Sequence, residues 1–167
     1  MDDSGVSAYT VELAYGDRPF EVTRPDHPRH IQLRTRHELW HKENLLNIGF
    51  QRLPLGIKYF GYSDADFMFT RPDWAQETLH QLQHYDAVQM FSSYSDLDSN
   101  HRCSAARPSF CYNYVTGDCA PIGSYGALGV GAVGGAWAFR AEAFNTMGAL
   151  LDICILGSGD WHMAMGL

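Results

Sequence analysis

The chain contains 167 residues, of which 46% are hydrophobic and 19% charged, and its formal net charge at pH 7 is −7. A chain of this length forms one domain with a core of its own, and the composition excludes disordered, collagen-like and coiled-coil proteins. The longest apolar run, 127–139, is interrupted by glycines and is shorter than the about 20 residues that a bilayer requires, so we expect no membrane span. The acidic balance argues against nucleic acid as a partner, because that surface needs clustered Lys and Arg.

The amino-terminal residues and the cysteines indicate in which cellular compartment we expect the protein. The first residues are acidic and lack the apolar core of a secretory signal. The four cysteines form no Cys-x-x-Cys pair, which argues against a structural zinc site. Unpaired thiols are typical of a reducing environment, so we expect a cytoplasmic protein.

The predicted elements alternate between strands and helices along the chain. Short apolar or alternating runs predict strands at 9–15, 57–62, 87–91 and 136–139. Apolar residues at helical spacing predict helices at 37–48, 70–82 and 140–151. Residues 24–30 are predicted to form a loop. This alternation predicts an α/β sandwich with a largely parallel sheet.

Residues 92–135 are polar, then glycine-rich, and show neither a helical nor a strand period. An irregular segment of this length within a compact domain is typical of a functional loop or lid. We therefore expect one domain over 1–167 that contains a long loop or lid at 92–135.

Two acidic residues follow the strand predicted at 57–62. Asp64 and Asp66, separated by one residue, come at the carboxyl end of that strand, where open α/β sheets bind their ligands. Carboxylate oxygens suit a hard divalent cation such as Mn²⁺ or Mg²⁺ and leave positions for phosphate oxygens and water. The alternative is a surface turn, because two acids at this spacing also occur by chance.

Four segments, in order, resemble the β1,4-galactosyltransferase family. Residues 40–50 (WHKENLLNIGF) are similar to the family's FNRAKLLNVGF stretch, and residues 63–66 (SDAD) are similar to its SDVD metal motif. Gly134-Gly135 with the residues up to Gly148 resembles its GG…F…NGF segment, and residues 156–160 (LGSGD) lie where it has WGGED. The matches in the first segment are Leu45, Leu46, Asn47, Gly49 and Phe50.

The resemblance implies a nucleotide-sugar glycosyltransferase of the GT-A fold, closer to a divergent bacterial or phage-type branch than to the animal enzymes. This fold is a Rossmann-type α/β/α sandwich, which we expect to be incomplete at both ends here. The implied reaction is transfer of a hexose from a UDP-sugar to a carbohydrate or other hydroxyl acceptor, with inversion. The implied cofactor is Mn²⁺ or Mg²⁺.

The resemblance and the side-chain chemistry together assign roles to particular residues. Asp160 is the candidate catalytic base, with a helix-capping acid as the alternative. The candidate metal ligands are Asp64, Asp66 and His162, although a lone histidine is more often an ordinary helix residue. The candidate nucleotide-sugar-binding residues are Lys42, Asn47, Asp64, Gly134, Gly135 and Trp137. Glycines let the backbone approach a sugar, and Trp137 either stacks on the sugar or lies in the core.

The chain also departs from the family pattern at its last motif. Gly159 replaces the family's glutamate, Leu156 replaces its tryptophan, and Trp161 and His162 replace its following acids. Two alternative functions therefore stay open. One is a non-catalytic nucleotide- or sugar-binding remnant of such a domain, and the other is a metal-dependent phosphohydrolase that uses Asp64 as its nucleophile.

Overall fold

The computed structural model describes residues 4–117 and 131–167, which form a mixed α/β protein. The strands within these ranges are β1 (Thr10–Tyr15), β2 (His30–Thr35), β3 (Tyr59–Ser63), β4 (Ala87–Gln89), β5 (Ser93–Leu97), β6 (Cys103–Pro108) and β7 (Ala136–Arg140). The helices are α1 (Lys42–Phe50), α2 (Trp74–Gln81), α3 (Phe110–Thr116), α4 (Ala141–Met147) and α5 (Gly159–Gly166).

The strands pair in small sheets with both orientations. The central sheet has the order β3-β7-β4, and β7 runs antiparallel to both neighbours. β1 and β2 form a parallel pair, and β5 and β6 form an antiparallel hairpin. The expectation of a largely parallel sheet was therefore wrong. The unit β3-α2-β4 has the anticipated parallel order, but β7 lies between its two strands in the opposite direction, and alternation of elements does not encode that direction.

The segment 92–135 is more regular than expected. Its described residues include both strands of the β5–β6 hairpin and helix α3, which Ser109 caps by accepting a hydrogen bond from the Tyr112 N–H. The two strands are short and largely exposed, so they lack the apolar alternation that identifies a half-buried strand. The part of the predicted loop at 118–130 lies outside the described residues.

Strand β2 was missed, and all three predicted helices are shorter than expected; α2 begins at Trp74 instead of residue 70. β2 begins within the predicted loop at His30, and its sequence HIQLRT has only two aliphatic positions. α1 begins at Lys42 instead of residue 37. α4 ends at Met147 because Gly148 adopts a left-handed conformation (φ 85°), which terminates a helix readily.

The core lies around β7. Trp137 and Phe139 are each 1% exposed, and the indole N–H of Trp137 donates to the Val133 carbonyl oxygen at 2.8 Å. Phe60 of β3 contacts Phe50 of α1 and Phe144 of α4 at ring-centroid distances of 4.7 and 5.0 Å. Burying large aromatic rings in such edge and tilted contacts anchors both helices on the central sheet.

The helices described here are all too short to span a bilayer. None within 4–117 and 131–167 combines the length and the apolar character that a transmembrane segment requires.

A carboxylate in β1 fixes the loop that joins β1 to β2. Glu12 accepts hydrogen bonds from the backbone N–H groups of Glu21, Val22 and Thr23 and from the Thr23 hydroxyl. These donors, the Thr23 hydroxyl first, lower the pKa of Glu12 from 4.5 to about 2, because each of them stabilises the ionised carboxylate. Ionised Glu12 therefore stabilises the folded loop.

Replacing Glu12 with Gln should make stability less dependent on acid pH. The Glu12 pKa is lower in the folded state, so its contribution is fully present above pH 4.5 and disappears as the pH falls towards about 2. In urea unfolding, Glu12→Gln should be less stable than the unsubstituted chain at neutral pH, and the difference should shrink through that window. Glu21→Gln replaces an exposed acid of the same loop and is the control. Its free energy of unfolding should have the same pH dependence as that of the unsubstituted chain. A Glu12→Gln difference that stays constant with pH would contradict this interpretation.

Candidate functional site

Asp64 lies at the carboxyl end of β3, next to the start of β7. Its backbone N–H donates to the Gly135 carbonyl oxygen at 2.8 Å, which continues the β3–β7 pairing by one more bond. Its carbonyl oxygen accepts from the Phe67 N–H at 3.1 Å and from the Ser63 hydroxyl at 3.1 Å. These hydrogen bonds fix the backbone at Asp64, and they therefore fix the position from which its side chain extends.

Lys42 links Asp64 to Asp160. The Nζ atom of Lys42 lies 2.7 Å from Oδ1 of Asp64 and 4.0 Å from Oδ2 of Asp160. The three side chains are 20%, 34% and 23% exposed, so water screens the charges less than at a fully exposed ion pair. The residue at the start of α1 thus joins two acids from distant parts of the sequence. We call Lys42, Asp64 and Asp160 the charge cluster.

Asp160 belongs to the first turn of α5. Its Oδ1 atom accepts from the Trp161 backbone N–H at 2.9 Å, and its Oδ2 atom faces Lys42. A carboxylate near a helix amino terminus is favoured by the N–H groups exposed there. This location agrees with both interpretations of Asp160, as a capping acid and as a candidate base.

Gly134 provides the space that Asp160 occupies. A Cβ atom at Gly134 would overlap Oδ2 of Asp160 and would lie 4.0 Å from Nζ of Lys42. The buried Gln89 holds this backbone, since its Nε2 atom donates to the carbonyl oxygens of Ala132 (2.7 Å) and Gly134 (3.1 Å). The prediction that Gly134 lets the backbone approach a donor sugar stays a prediction.

Gly135 is required for its conformation as well as for space. Its φ is +94°, a region that residues with a side chain rarely adopt. A Cβ atom there would lie 2.9 Å from Phe91 and 3.1 Å from Phe67. Gly135 therefore lets two aromatic rings pack directly on the turn that precedes β7.

Two buried groups that sequence analysis did not identify border the charge cluster. Glu43 is 4% exposed; burial, and secondarily the charge of Asp160, raises its pKa, against the lowering effect of Lys42. Burial raises the pKa of Tyr62 well above its usual range, and the nearby carboxylates add to the shift. The Tyr62 ring lies under the Lys42 ammonium at 5.8 Å from its centroid, within reach of a cation–π interaction.

Two predicted nucleotide-sugar-binding residues, Asn47 and Trp137, have structural roles. Both ends of the Asn47 amide bond the backbone of Leu150, with Nδ2 donating at 2.9 Å and Oδ1 accepting at 3.0 Å. This pairing joins α1 to the segment after α4. Trp137 is buried in the core, as the alternative of a core tryptophan describes.

Asp66 and His162 are both exposed. Neither of them forms an ion pair with a residue of the charge cluster. Across the described ranges, no group of three or more His, Cys, Asp or Glu side chains is arranged to hold a metal ion. The predicted metal set of Asp64, Asp66 and His162 is therefore not assembled as a protein-only site.

The residues present still suit a divalent cation that shares its ligands with a substrate. Oδ2 of Asp64 is not the atom that pairs with Lys42, and Asp66 follows two residues later. Mg²⁺ in particular is commonly bound through one or two carboxylates, with phosphate oxygens and water completing the shell. Hard oxygen donors of this kind fit Mn²⁺ or Mg²⁺.

Comparison with known proteins identified no relative. No family model, no curated protein and no solved structure matches the chain.

Replacing Gly134 with Ala should displace Asp160. The added methyl group would overlap the Asp160 carboxylate, and we expect a loss of about 1–3 kcal/mol in the free energy of unfolding, as is usual for overpacking. In an Asp160→Ala background the methyl group has room, so the same substitution should cost about 1 kcal/mol less. Urea unfolding of the four chains measures this coupling, and equal losses in both backgrounds would show that the two groups do not touch.

Proposed function

We propose that this chain is a metal-dependent glycosyltransferase that transfers a hexose from a UDP-sugar to a hydroxyl acceptor, with inversion. The supporting observation is the charge cluster: Lys42, Asp64 and Asp160 come from three of the four segments that resemble the galactosyltransferase family, and they meet beside Gly134 of the fourth. These residues are up to 118 positions apart in the sequence, so sequence proximity does not explain why they lie together. Convergence of all four segments supports a common site.

The charge cluster has the groups that sugar transfer from a diphosphate donor requires. An ammonium carries several N–H donors, so Lys42 can bind the donor diphosphate while it keeps Asp64 in place. Asp160 accepts the proton of the acceptor hydroxyl through Oδ2, because its Oδ1 is held by the Trp161 N–H. A bound Mn²⁺ or Mg²⁺ supplies Lewis-acid stabilisation of the leaving diphosphate. Asp64, with Asp66, would hold that ion.

A second candidate is a nucleotide- or sugar-binding domain without catalytic activity. The observation that favours it is the 2.7 Å pair between Lys42 and Asp64, which already balances one carboxylate with a cation from the protein. A site of this kind binds UDP through the Lys42 charge and has no need of a base. Turnover separates this candidate from the enzyme.

Titration of UDP in the presence and absence of Mn²⁺ tests the donor site. We expect UDP to bind more tightly with Mn²⁺, and Asp64→Asn should weaken the Mn²⁺-dependent binding by about 10–100-fold, the range seen when a metal site is disturbed. Asp17→Asn, an exposed acid in the turn after β1, is the matched control and should bind as the unsubstituted chain does. Isothermal titration calorimetry gives both affinities. An equal affinity for UDP with and without Mn²⁺ would contradict the proposed role of the metal.

Asp160→Asn should slow turnover strongly while it preserves donor binding. A positioned base contributes about 10²–10⁴-fold to a rate, so release of UDP from a panel of UDP-hexoses should slow by that factor. The UDP affinity should change by no more than about twofold, because Asp160 acts on the acceptor. The unsubstituted chain could instead bind UDP and turn over no UDP-hexose with any sugar or glycoside acceptor tested. That result would identify it as the non-catalytic binding domain.

A further inference from the structure

Glu43 is the most completely buried acid next to the charge cluster. It is the second residue of α1, directly after Lys42, and it is 4% exposed. Acidic side chains are almost never buried to this extent unless something in the fold requires it. Neither the family resemblance nor the proposed reaction assigns it a role.

The Glu43 side chain packs against Gly159. A Cβ atom at Gly159 would overlap Cγ, Cδ and Oε1 of Glu43, so the absence of a side chain at Gly159 is what gives the carboxyl its place. Gly159 is itself buried and is the first residue of α5. The first turn of α5 therefore rests on the Glu43 side chain.

The segment that leads into α5 has an unusual backbone. Gly157 has φ +102°, and Ser158, the residue at the helix amino terminus, has φ +73°. A left-handed conformation is unfavourable for a residue with a side chain, and it persists only where its surroundings impose it. The Glu43 side chain, which packs against the next residue, Gly159, is one of the contacts that surround this turn.

We infer that Glu43 is a positioning residue for Asp160. The buried side chain fills the space beside Gly159, fixes the first turn of α5, and so keeps Oδ2 of Asp160 within 4.0 Å of Lys42 Nζ and in contact distance of Gly134. The inference rests on the proposed function only in taking Asp160 as the catalytic base. The positioning itself is a property of the fold.

The charges around Glu43 do not oppose this role. Burial raises the pKa of Glu43, and the charges of Lys42 and Asp160 act on it with opposite signs. A packing role depends on the shape of the side chain, which the neutral amide of Gln retains. The role therefore predicts that Gln at this position is tolerated and Ala is not.

Three variants test the positioning role. Glu43→Ala removes the side chain, Glu43→Gln keeps its shape, and Gly159→Ala pushes the carboxyl away from the helix. Glu142→Ala, an exposed acid in the first turn of α4, is the matched control. The readout that needs no activity is the NMR signal of the Trp161 backbone amide, whose N–H donates to Oδ1 of Asp160.

We expect the Trp161 amide signal to move in Glu43→Ala and Gly159→Ala and to stay in place in Glu43→Gln and Glu142→Ala. With UDP-hexose turnover as the second readout, kcat should fall by about 10–100-fold in the first two variants, the scale of a small misplacement of a catalytic group. The UDP affinity should stay within about twofold of its original value, because a donor-binding defect would affect KM instead.

Two results would overturn the inference. The first is a Trp161 amide signal that is unchanged in both Glu43→Ala and Gly159→Ala. The second is a loss in Glu43→Gln as large as in Glu43→Ala, which would mean that Glu43 acts through its proton or charge. If Glu43→Ala does not fold, Gly159→Ala carries the test. A chain without any turnover would refute the proposed function, and the NMR readout would still decide the positioning role.

Discussion

The arrangement of this molecule depends on one shared cation. Asp64 and Asp160 carry like charges, and they lie close together because the Lys42 ammonium sits between them, 2.7 Å from one and 4.0 Å from the other. Since the cluster is only partly exposed, this attraction is screened less than at the open surface. It joins the start of α1, the end of β3 and the first turn of α5. The two carboxylates already outnumber the one cation, and the buried Glu43 adds a third carboxyl group beside them.

Two glycines matter at this site as much as the charged side chains. Gly134 leaves room for the Asp160 carboxylate, and Gly159 leaves room for Glu43. Gln89, buried beneath the turn before β7, holds the Gly134 carbonyl oxygen at 3.1 Å. Gly134, just before β7, lets the Asp160 side chain of α5 approach the central sheet, and Gly159 lets the Glu43 side chain of α1 approach α5. Preorganisation of this kind is what sugar transfer would require, because misplacing a catalytic group by a small distance is costly.

Much of the central architecture could be predicted from sequence, because β3, β4 and β7 are apolar runs with turn signals around them. The β5–β6 hairpin could not, since its exposed strands bury too little to leave an alternating pattern. The direction of β7 could not be predicted either, because this antiparallel strand is buried on both faces and so has the continuous apolar run that is typical of a parallel strand. At the site, the order of motifs pointed to Lys42, Asp64 and Asp160, which lie together in the structure. Their roles stay predictions. Glu43 was missed because its burial depends on a glycine 116 residues away, and no local pattern records that contact.

A crystal structure of the chain with UDP and Mn²⁺ tests the central claim most directly. The account predicts that the diphosphate lies against the Lys42 ammonium, with the metal ion on Asp64 and with Asp160 facing the position that the sugar would take. Electron density for UDP at another surface, with the pair between Lys42 and Asp64 undisturbed, would contradict it.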